Sequence, residues 1–146
     1  MNNLNNLFFV CSLIEYIARK TSNTKKYITE KLGYDTIKKI YDLAEVYHSE
    51  NIDKISDELI KKSNIEYGHY NILSEIKNQN PPTFFDMGKV YVRLIRDVSS
   101  SENDYINTLI QVMTSWIIEQ FDNYDSSLYF ENPSYIKTCY LENKIL

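Results

Sequence analysis

Near its start the chain reads Leu4-Asn5-Asn6-Leu7-Phe8-Phe9-Val10-Cys11-Ser12-Leu13-Ile14-Glu15-Tyr16-Ile17-Ala18. In a helix built from this stretch, apolar residues fall on nearly every side, whereas a surface helix keeps them on one stripe. Such a stretch is typical of a helix at the centre of a fold. We therefore expect the rest of the chain to pack around residues 4–18.

Helical periodicity continues along most of the chain. Apolar residues recur at intervals of three and four over 36–48, 52–60, 84–98 and 106–117, which is one face of an α-helix in each case. A shorter helix over 25–32 is expected to begin at Thr24 or Asn23 and to end at Gly33, because glycine is favoured just past a helix C-terminus.

Further boundaries follow from capping residues and prolines. Ser63 and Glu66 have capping-box spacing and predict a helix that runs to Ile76, and Ser101 with Asp104 predicts the start of one long helix. Between them, the two prolines at 81–82 exclude a helix interior, and Thr83 can cap the helix that follows.

In the last part of the chain, 123–146, apolar and polar residues alternate more than they follow the three- to four-residue period of a helix. This pattern predicts a small hairpin or an extended strap. The whole sequence thus predicts one all-α domain over 1–146, a compact bundle of about six helices within about 4–122, and an irregular or small β-hairpin tail over 123–146.

Length and composition indicate a globular protein. The chain has 146 residues, of which 43% are hydrophobic and 25% charged, and no window approaches the roughly 18 apolar residues of a membrane span. The polar start lacks the features of a signal peptide. We expect a cytoplasmic protein without membrane contact, in which Cys11 and Cys139 stay reduced.

Residue usage argues against catalysis. Only three glycines and two histidines occur, whereas phosphate-binding loops and oxyanion turns need glycine where the backbone approaches a ligand. Cys11 lies in an apolar run, where a reactive thiolate is disfavoured. We expect no enzyme activity and no cofactor.

Each histidine follows a glutamate by three positions, in Glu45-x-x-His48 and Glu66-x-x-His69. In metal-binding helical bundles this spacing places a carboxylate and an imidazole on one inward face, and two further carboxylates complete the site. Glu15 and Glu119 are the candidates for that role. The alternative interpretation places His48 at a helix C-terminus and His69 on the surface.

Charge is distributed unevenly. Residues 19–39 contain seven Lys or Arg and two acidic residues, whereas 102–146 contains seven acidic residues and two lysines. Segment 24–48 has the outline of a helix-turn-helix with Gly33 at the turn, so a DNA-binding regulator is one functional alternative. A solvated basic face is the simpler interpretation.

Aromatic residues point to a protein partner. Tyrosine occurs 13 times, and tyrosine and tryptophan are favoured at interfaces because they bury a large area and keep a polar tip. The sequence therefore predicts a non-enzymatic protein-binding module whose partner is another protein or a second copy. The candidate interaction residues are Tyr41, Tyr47, His48, Trp116, Asp122 and Asp125.

Three stretches resemble a small uncharacterised bacterial family, namely Phe9-Val10-Cys11-Ser12-Leu13-Ile14-Glu15-Tyr16-Ile17-Ala18, Ile40-Tyr41-Asp42-Leu43-Ala44-Glu45-Val46-Tyr47-His48 and Asp86-Met87-Gly88-Lys89-Val90-Tyr91 with Arg93-Leu94-Ile95. The resemblance covers roughly residues 9–98. Members of that family look to be encoded beside proteins that are similar to ADP-ribosyltransferase toxins. The resemblance implies an antitoxin-like or accessory role and supplies no catalytic residues.

Overall fold

The computed structural model describes residues 2–70, 81–123 and 128–146. These residues form two short 3-10 helices, Glu102–Asp104 and Leu128–Phe130, and contain no strand. Their α-helices are α1 Asn3–Thr21, α2 Lys25–Asp42, α3 Ala44–His48, α4 Ile52–Lys62, α5 Phe84–Val98, α6 Tyr105–Met113, α7 Trp116–Phe121 and α8 Pro133–Glu142. The prediction of an all-α fold is confirmed.

Helix α1 lies at the centre, as its apolar residues predict. Leu7, Val10, Ile14 and Ile17 are fully excluded from solvent. The helix packs most extensively against α5 and also contacts α2, α3 and α4. The buried apolar side chains of the described residues form one cluster around it.

A close approach between α1 and α5 depends on Gly88. A Cβ atom added at this position would lie 2.2 Å from Ser12 Oγ and 3.1 Å from the Phe8 ring. Helix α5 begins as predicted, because Thr83 and Asp86 form a reciprocal capping box. These two features fix where the first turn of α5 meets α1.

Helix α2 consists of two helical stretches that meet at a kink at Gly33, where the sequence predicts a helix end. Gly33 has φ 76° and ψ 166°, a backbone region that is essentially restricted to glycine. Thr24 caps the helix by accepting a hydrogen bond from the Tyr27 amide at 3.1 Å. The predicted helix over 36–48 is divided, because α2 ends at Asp42 and α3 follows after a single residue, Leu43.

We expect Gly33→Ala to lower the free energy of unfolding by about 1–3 kcal/mol through backbone strain alone. No atom lies within 4 Å of a Cβ added at Gly33, so a steric clash does not contribute. Urea unfolding followed by circular dichroism measures the change, with the exposed Lys31→Ala as the control. Equal stability of the two variants would show that the backbone of α2 relaxes without cost.

The predicted helix over 63–76 is wrong where the structure describes it, and 71–80 lies outside the described residues. Ser63 ends α4, and Asn64 adopts the left-handed conformation with φ 53°. The Ile65 amide donates to the Ile60 carbonyl at 3.0 Å, as in a Schellman helix end. Residues 66–70 then lie against the turn after α1, with the Gly68 amide donating to the Thr21 carbonyl at 2.8 Å.

The predicted long helix after Ser101 is interrupted between α6 and α7. Thr114 Oγ1 donates to the Ile110 carbonyl at 2.7 Å, and Ser115 Oγ donates to the Val112 carbonyl at 2.6 Å. Side-chain hydroxyls that bond to these carbonyls compete with the helical pattern. The apolar periodicity continues across the break, which is why the pattern alone does not reveal it.

The prediction of a β-hairpin tail is also wrong. The tail contains the 3-10 helix and α8, and residues 124–127 lie outside the described part. Asn132 caps α8 by accepting from the Ser134 amide at 2.8 Å, and Pro133 suits the first helical position. Ile136 and Cys139 are buried three residues apart, and α8 packs against α5.

Two further expectations concern cysteines and membranes. Cys11 and Cys139 are both free and buried, and burial raises the pKa of the Cys11 thiol far above its ordinary value. Over the described ranges, we find no helix with the length and apolar character that crossing a bilayer requires.

Candidate protein-interaction surface

Tyr41, Tyr47 and His48 lie at the corner where α2 passes into α3. Both tyrosines are half-buried and pack against the core. His48 is exposed and is the last residue of α3, which confirms its predicted place at a helix C-terminus. Its ring meets the Phe9 ring edge-on, with the centroids 6.2 Å apart.

The other three candidate residues follow α6. Trp116 begins α7 and is half-buried, and its indole Nε1 finds no hydrogen-bond acceptor among the described residues. Asp122 follows α7, with only 5% of its side chain exposed. Asp125 lies outside the described residues. An acidic binding surface on this half of the molecule therefore cannot use Asp122 as an open surface charge.

Asp122 belongs to an interior ion cluster that consists of Glu15, Lys25 and Asp122. Lys25 Nζ lies 2.5 Å from Asp122 Oδ1 and 3.2 Å from Glu15 Oε1, and the Glu15 and Lys25 side chains are fully buried. The Tyr70 hydroxyl donates to Asp122 Oδ2 at 2.8 Å, and the Tyr91 hydroxyl donates to Glu15 Oε1 at 2.7 Å. The cluster thus links α1, α2 and the end of α7.

Burial raises the pKa of the Glu15 and Asp122 carboxyl groups, whereas the neighbouring positive charges lower it. Burial disfavours ionisation of Glu15, but Lys25 and Arg19 outweigh it and hold the pKa of Glu15 below its ordinary value. Burial raises the pKa of Asp122 despite its contact with Lys25. Arg19 completes the site, since its Nε donates to Glu15 Oε2 at 2.9 Å. These groups satisfy one another, so the cluster acts as an internal cross-link.

The arrangement that a two-metal bundle needs is not formed by the described residues. Glu66 and His69 lie in the non-helical segment after α4, and His69 is exposed as predicted. Glu15 is already bound to Lys25 and Arg19. Within 2–70, 81–123 and 128–146, no three or more His, Cys, Asp or Glu side chains converge on a position that could hold a metal ion.

Segment 24–48, to which the sequence gives the outline of a helix-turn-helix, contains two helical stretches that meet at Gly33. Gly33 is the only non-helical residue inside α2, whereas the motif needs a turn of about three to four residues between its helices. Lys25 is buried in the ion cluster, and Lys38 pairs with Asp42 at 2.8 Å. Lys26, Lys31 and Lys39 remain exposed along the helix.

Among the described residues, the most extensive aromatic feature is a row of rings where α1 meets the start of α5. The Phe8 and Phe85 ring centroids are 6.1 Å apart, those of Phe85 and Phe84 are 4.3 Å apart, and those of Phe84 and Tyr16 are 4.9 Å apart. We call these four residues the aromatic ladder. Phe85 is 49% exposed, and the other three are half-buried.

The position of the aromatic ladder follows from the local sequence. Phe8 and Tyr16 are eight residues apart, which places them on one side of α1 at a separation of about two turns. Phe84 and Phe85 are the first residues of α5, directly after the Thr83 cap. The close approach at Gly88 brings the two helices together near the ladder.

A polar rim borders the ladder at its Tyr16 end. Lys20 Nζ lies 5.9 Å from the Tyr16 ring centroid and 2.6 Å from Asp57 Oδ1. The Tyr16 hydroxyl donates to Asp53 on α4. The Asp53 and Asp57 side chains are 63% and 66% exposed. An apolar centre beside accessible charges is the common anatomy of a protein interface.

Sequence reasoning missed the ladder as a unit. The available signal was the spacing of Phe8, Ser12 and Tyr16 at intervals of four, next to the adjacent phenylalanines after the Thr83 cap. The pairing of α1 with α5 was needed to join these two signals.

No protein-family model, curated protein or solved structure matches this chain.

Proposed function

We propose that this protein is a non-enzymatic protein-binding module whose contact surface is the aromatic ladder. The observation that carries the proposal is the contact of four rings in succession while Phe85 remains 49% exposed. Aromatic side chains held by their neighbours lose little conformational freedom on binding and bury a large area, so they dominate the energy of many interfaces.

The rim adds a preference among partners. Lys20 offsets one of the carboxylates of Asp53 and Asp57, so the rim keeps about one negative charge beside the Tyr16 ring. A partner with an apolar centre and a basic residue at its edge suits this arrangement, because complementary charge favours the correct encounter. The resemblance of residues 9–98 to the toxin-associated family makes a toxin-like protein the first partner class to test.

The test compares two exposed apolar residues. Tagged wild-type protein, Phe85→Ser and the control Leu141→Ser, whose residue is 58% exposed on α8, are used to capture partners from native lysate at physiological salt. We expect one stoichiometric protein with the wild type and the control. Phe85→Ser is expected to bind it at least ~30-fold more weakly, as for an interface hot spot.

Folding is checked by urea unfolding of all three proteins, since an unfolded variant also loses partners. A folded Phe85→Ser protein that keeps its partner would remove the ladder from the proposed interface. Recovery of no stoichiometric protein with the wild type would contradict the stable-binder proposal itself.

A further inference from the structure

A second surface is a groove between the end of α5 and the start of α6, which we call the polar groove. Residues 98–100, 104, 107–108 and 110–111 line it. It holds about 620 Å³ and is open to solvent, and sites for small ligands usually have about 300–1,000 Å³. Its α5 end lies about 20 Å along the helix from Phe84 of the aromatic ladder. The polar groove is therefore separate from the proposed protein-interaction surface.

A row of polar side chains runs along one wall of the polar groove. The row consists of Asp104, Asn107, Thr108 and Gln111. These positions recur at intervals of three and four, so their side chains share one face of α6 and of the residue before it. The row is about 10 Å long. Leu109, on another side of the same helix, is fully buried in the core.

Thr108 is the residue that points to a ligand. It is only 7% exposed and lines the polar groove, yet its hydroxyl has no hydrogen-bond partner among the described residues. Thr114, at the end of the same helix, instead donates to the Ile110 carbonyl at 2.7 Å. A hydroxyl that is largely removed from water and lacks a partner costs free energy. A hydroxyl group of a ligand in the groove would satisfy it.

The other members of the row are available to a ligand as well. Asn107 and Gln111 are exposed, and their side-chain amides have no hydrogen bond within the part of the chain that the structure describes. The Ser100 hydroxyl donates to Asp104 Oδ2, which leaves Oδ1 as an acceptor. Side-chain amides and hydroxyls both donate and accept hydrogen bonds. The wall thus presents groups of both kinds in close succession.

The remaining lining excludes several ligand classes. Among the described residues that line the groove, none is Lys or Arg, and Asp104 supplies a negative charge, so phosphate and carboxylate ligands are disfavoured. Val98 and Ile110 supply the apolar lining. Neither is large enough to form the pocket that anchors an apolar side chain of a bound peptide. A neutral molecule with neighbouring hydroxyl groups suits the row best, because each hydroxyl both donates and accepts.

We infer that the polar groove binds a neutral saccharide, a function in addition to the protein binding proposed for the aromatic ladder. The amides of Asn107 and Gln111 bond to neighbouring sugar hydroxyls. Thr108 gains its missing partner from the same sugar, and Asp104 Oδ1 accepts from a further hydroxyl. A sugar of one or two rings suits the volume of the groove and the length of the row.

The test is an NMR titration of the 15N-labelled full chain with glucose, galactose, mannose, N-acetylglucosamine, maltose and lactose. We expect at least one of these sugars to shift the side-chain amide signals of Asn107 and Gln111, with a Kd of about 1 mM or below. The blocked peptide acetyl-Ala-Ala-Ala-amide represents the peptide alternative. It is expected to leave both signals unchanged.

Variants locate the binding site. Thr108→Val keeps the shape of the side chain and is expected to weaken sugar binding about 5-fold, and Gln111→Leu about 10-fold, because each loses hydrogen bonds to the sugar. The matched control Gln120→Leu, whose residue is exposed on α7, should bind like the wild type. Phe85→Ser should also bind like the wild type, which separates this inference from the function proposed for the aromatic ladder.

Urea unfolding of the variants checks the premise about Thr108. Because its hydroxyl has no partner to lose, Thr108→Val is expected to unfold at a urea concentration at least as high as the wild type. A lower midpoint would show that the hydroxyl is bonded within the fold and would remove the observation on which the inference rests.

Three binding results would overturn the inference. The first is a wild-type protein that binds none of the six sugars. The second is sugar binding that Thr108→Val and Gln111→Leu both leave unchanged, since the site would then lie elsewhere. The third is binding of the peptide in place of the sugars, which would make a peptide segment the occupant of the groove.

Discussion

Lys25→Met is expected to lower the free energy of unfolding by about 3–5 kcal/mol, because removing one partner of a buried ion cluster leaves an uncompensated charge. Lys25 Nζ contacts both Glu15 and Asp122, and the Lys25 and Glu15 side chains are fully buried. Methionine has a similar shape, so the loss reports on charge more than on packing. Urea unfolding at neutral pH measures it.

The matched control removes the charge that Lys25→Met leaves unpaired. Asp122→Asn, combined with Lys25→Met, keeps an oxygen acceptor for the Tyr70 hydroxyl and leaves Glu15 paired with Arg19. Replacing both members of a buried ion pair by neutral groups is often close to neutral in stability. The double variant is therefore expected to recover most of the loss. A single Lys25→Met variant as stable as the wild type would show that water solvates the cluster.

Gly88→Val is expected to lower the free energy of unfolding by about 3 kcal/mol, because overpacking a close helix contact forces the side chains or the backbone to move. The Cβ atom alone would lie 2.2 Å from Ser12 Oγ and 3.1 Å from the Phe8 ring. Thermal and urea unfolding measure the loss. Partner binding should weaken as well, since Phe8 belongs to the aromatic ladder.

A double variant distinguishes this clash from a general effect of valine in α5. Ser12→Ala removes the nearest atom, so we expect Ser12→Ala with Gly88→Val to be more stable than the sum of the single changes predicts. Strict additivity of the two changes would show that Ser12 is not the group that resists the new side chain.

Local signals predicted a large part of the fold. The apolar stretch around Leu13 identified the central helix, and the caps at Thr24 and Thr83 marked true helix starts. These features act over one or two turns, and their physical causes lie within the residues concerned. They require no knowledge of distant parts of the chain.

The errors arose where local signals competed. Ser63 and Glu66 have the spacing of a capping box, but Ser63 ends the preceding helix and Asn64 leaves the helical conformation. In the tail, alternation suggested strands, whereas the cap at Asn132 and Pro133 favours a helix. The spacing alone does not indicate whether a polar residue ends the helix before it or caps the helix after it.

The interior ion cluster could not be predicted from the sequence for a different reason. Lys25 was counted with a basic surface and Asp122 with an acidic one, yet the two meet 2.5 Å apart in the interior. They are 97 positions apart. Only the packing of α1, α2 and α7 brings them together, and neither residue lies in an apolar stretch that would indicate burial.

The pairing of α1 with α5 also affects the order of events during synthesis. Some 60 residues separate the end of α1 from the start of α5. At about 5–20 residues per second on the ribosome, roughly 4–15 s pass between the synthesis of the last residue of α1 and that of the last residue of α5. During that interval the α5 side of α1 has no native cover, and exposed apolar surface of this kind favours chaperone binding.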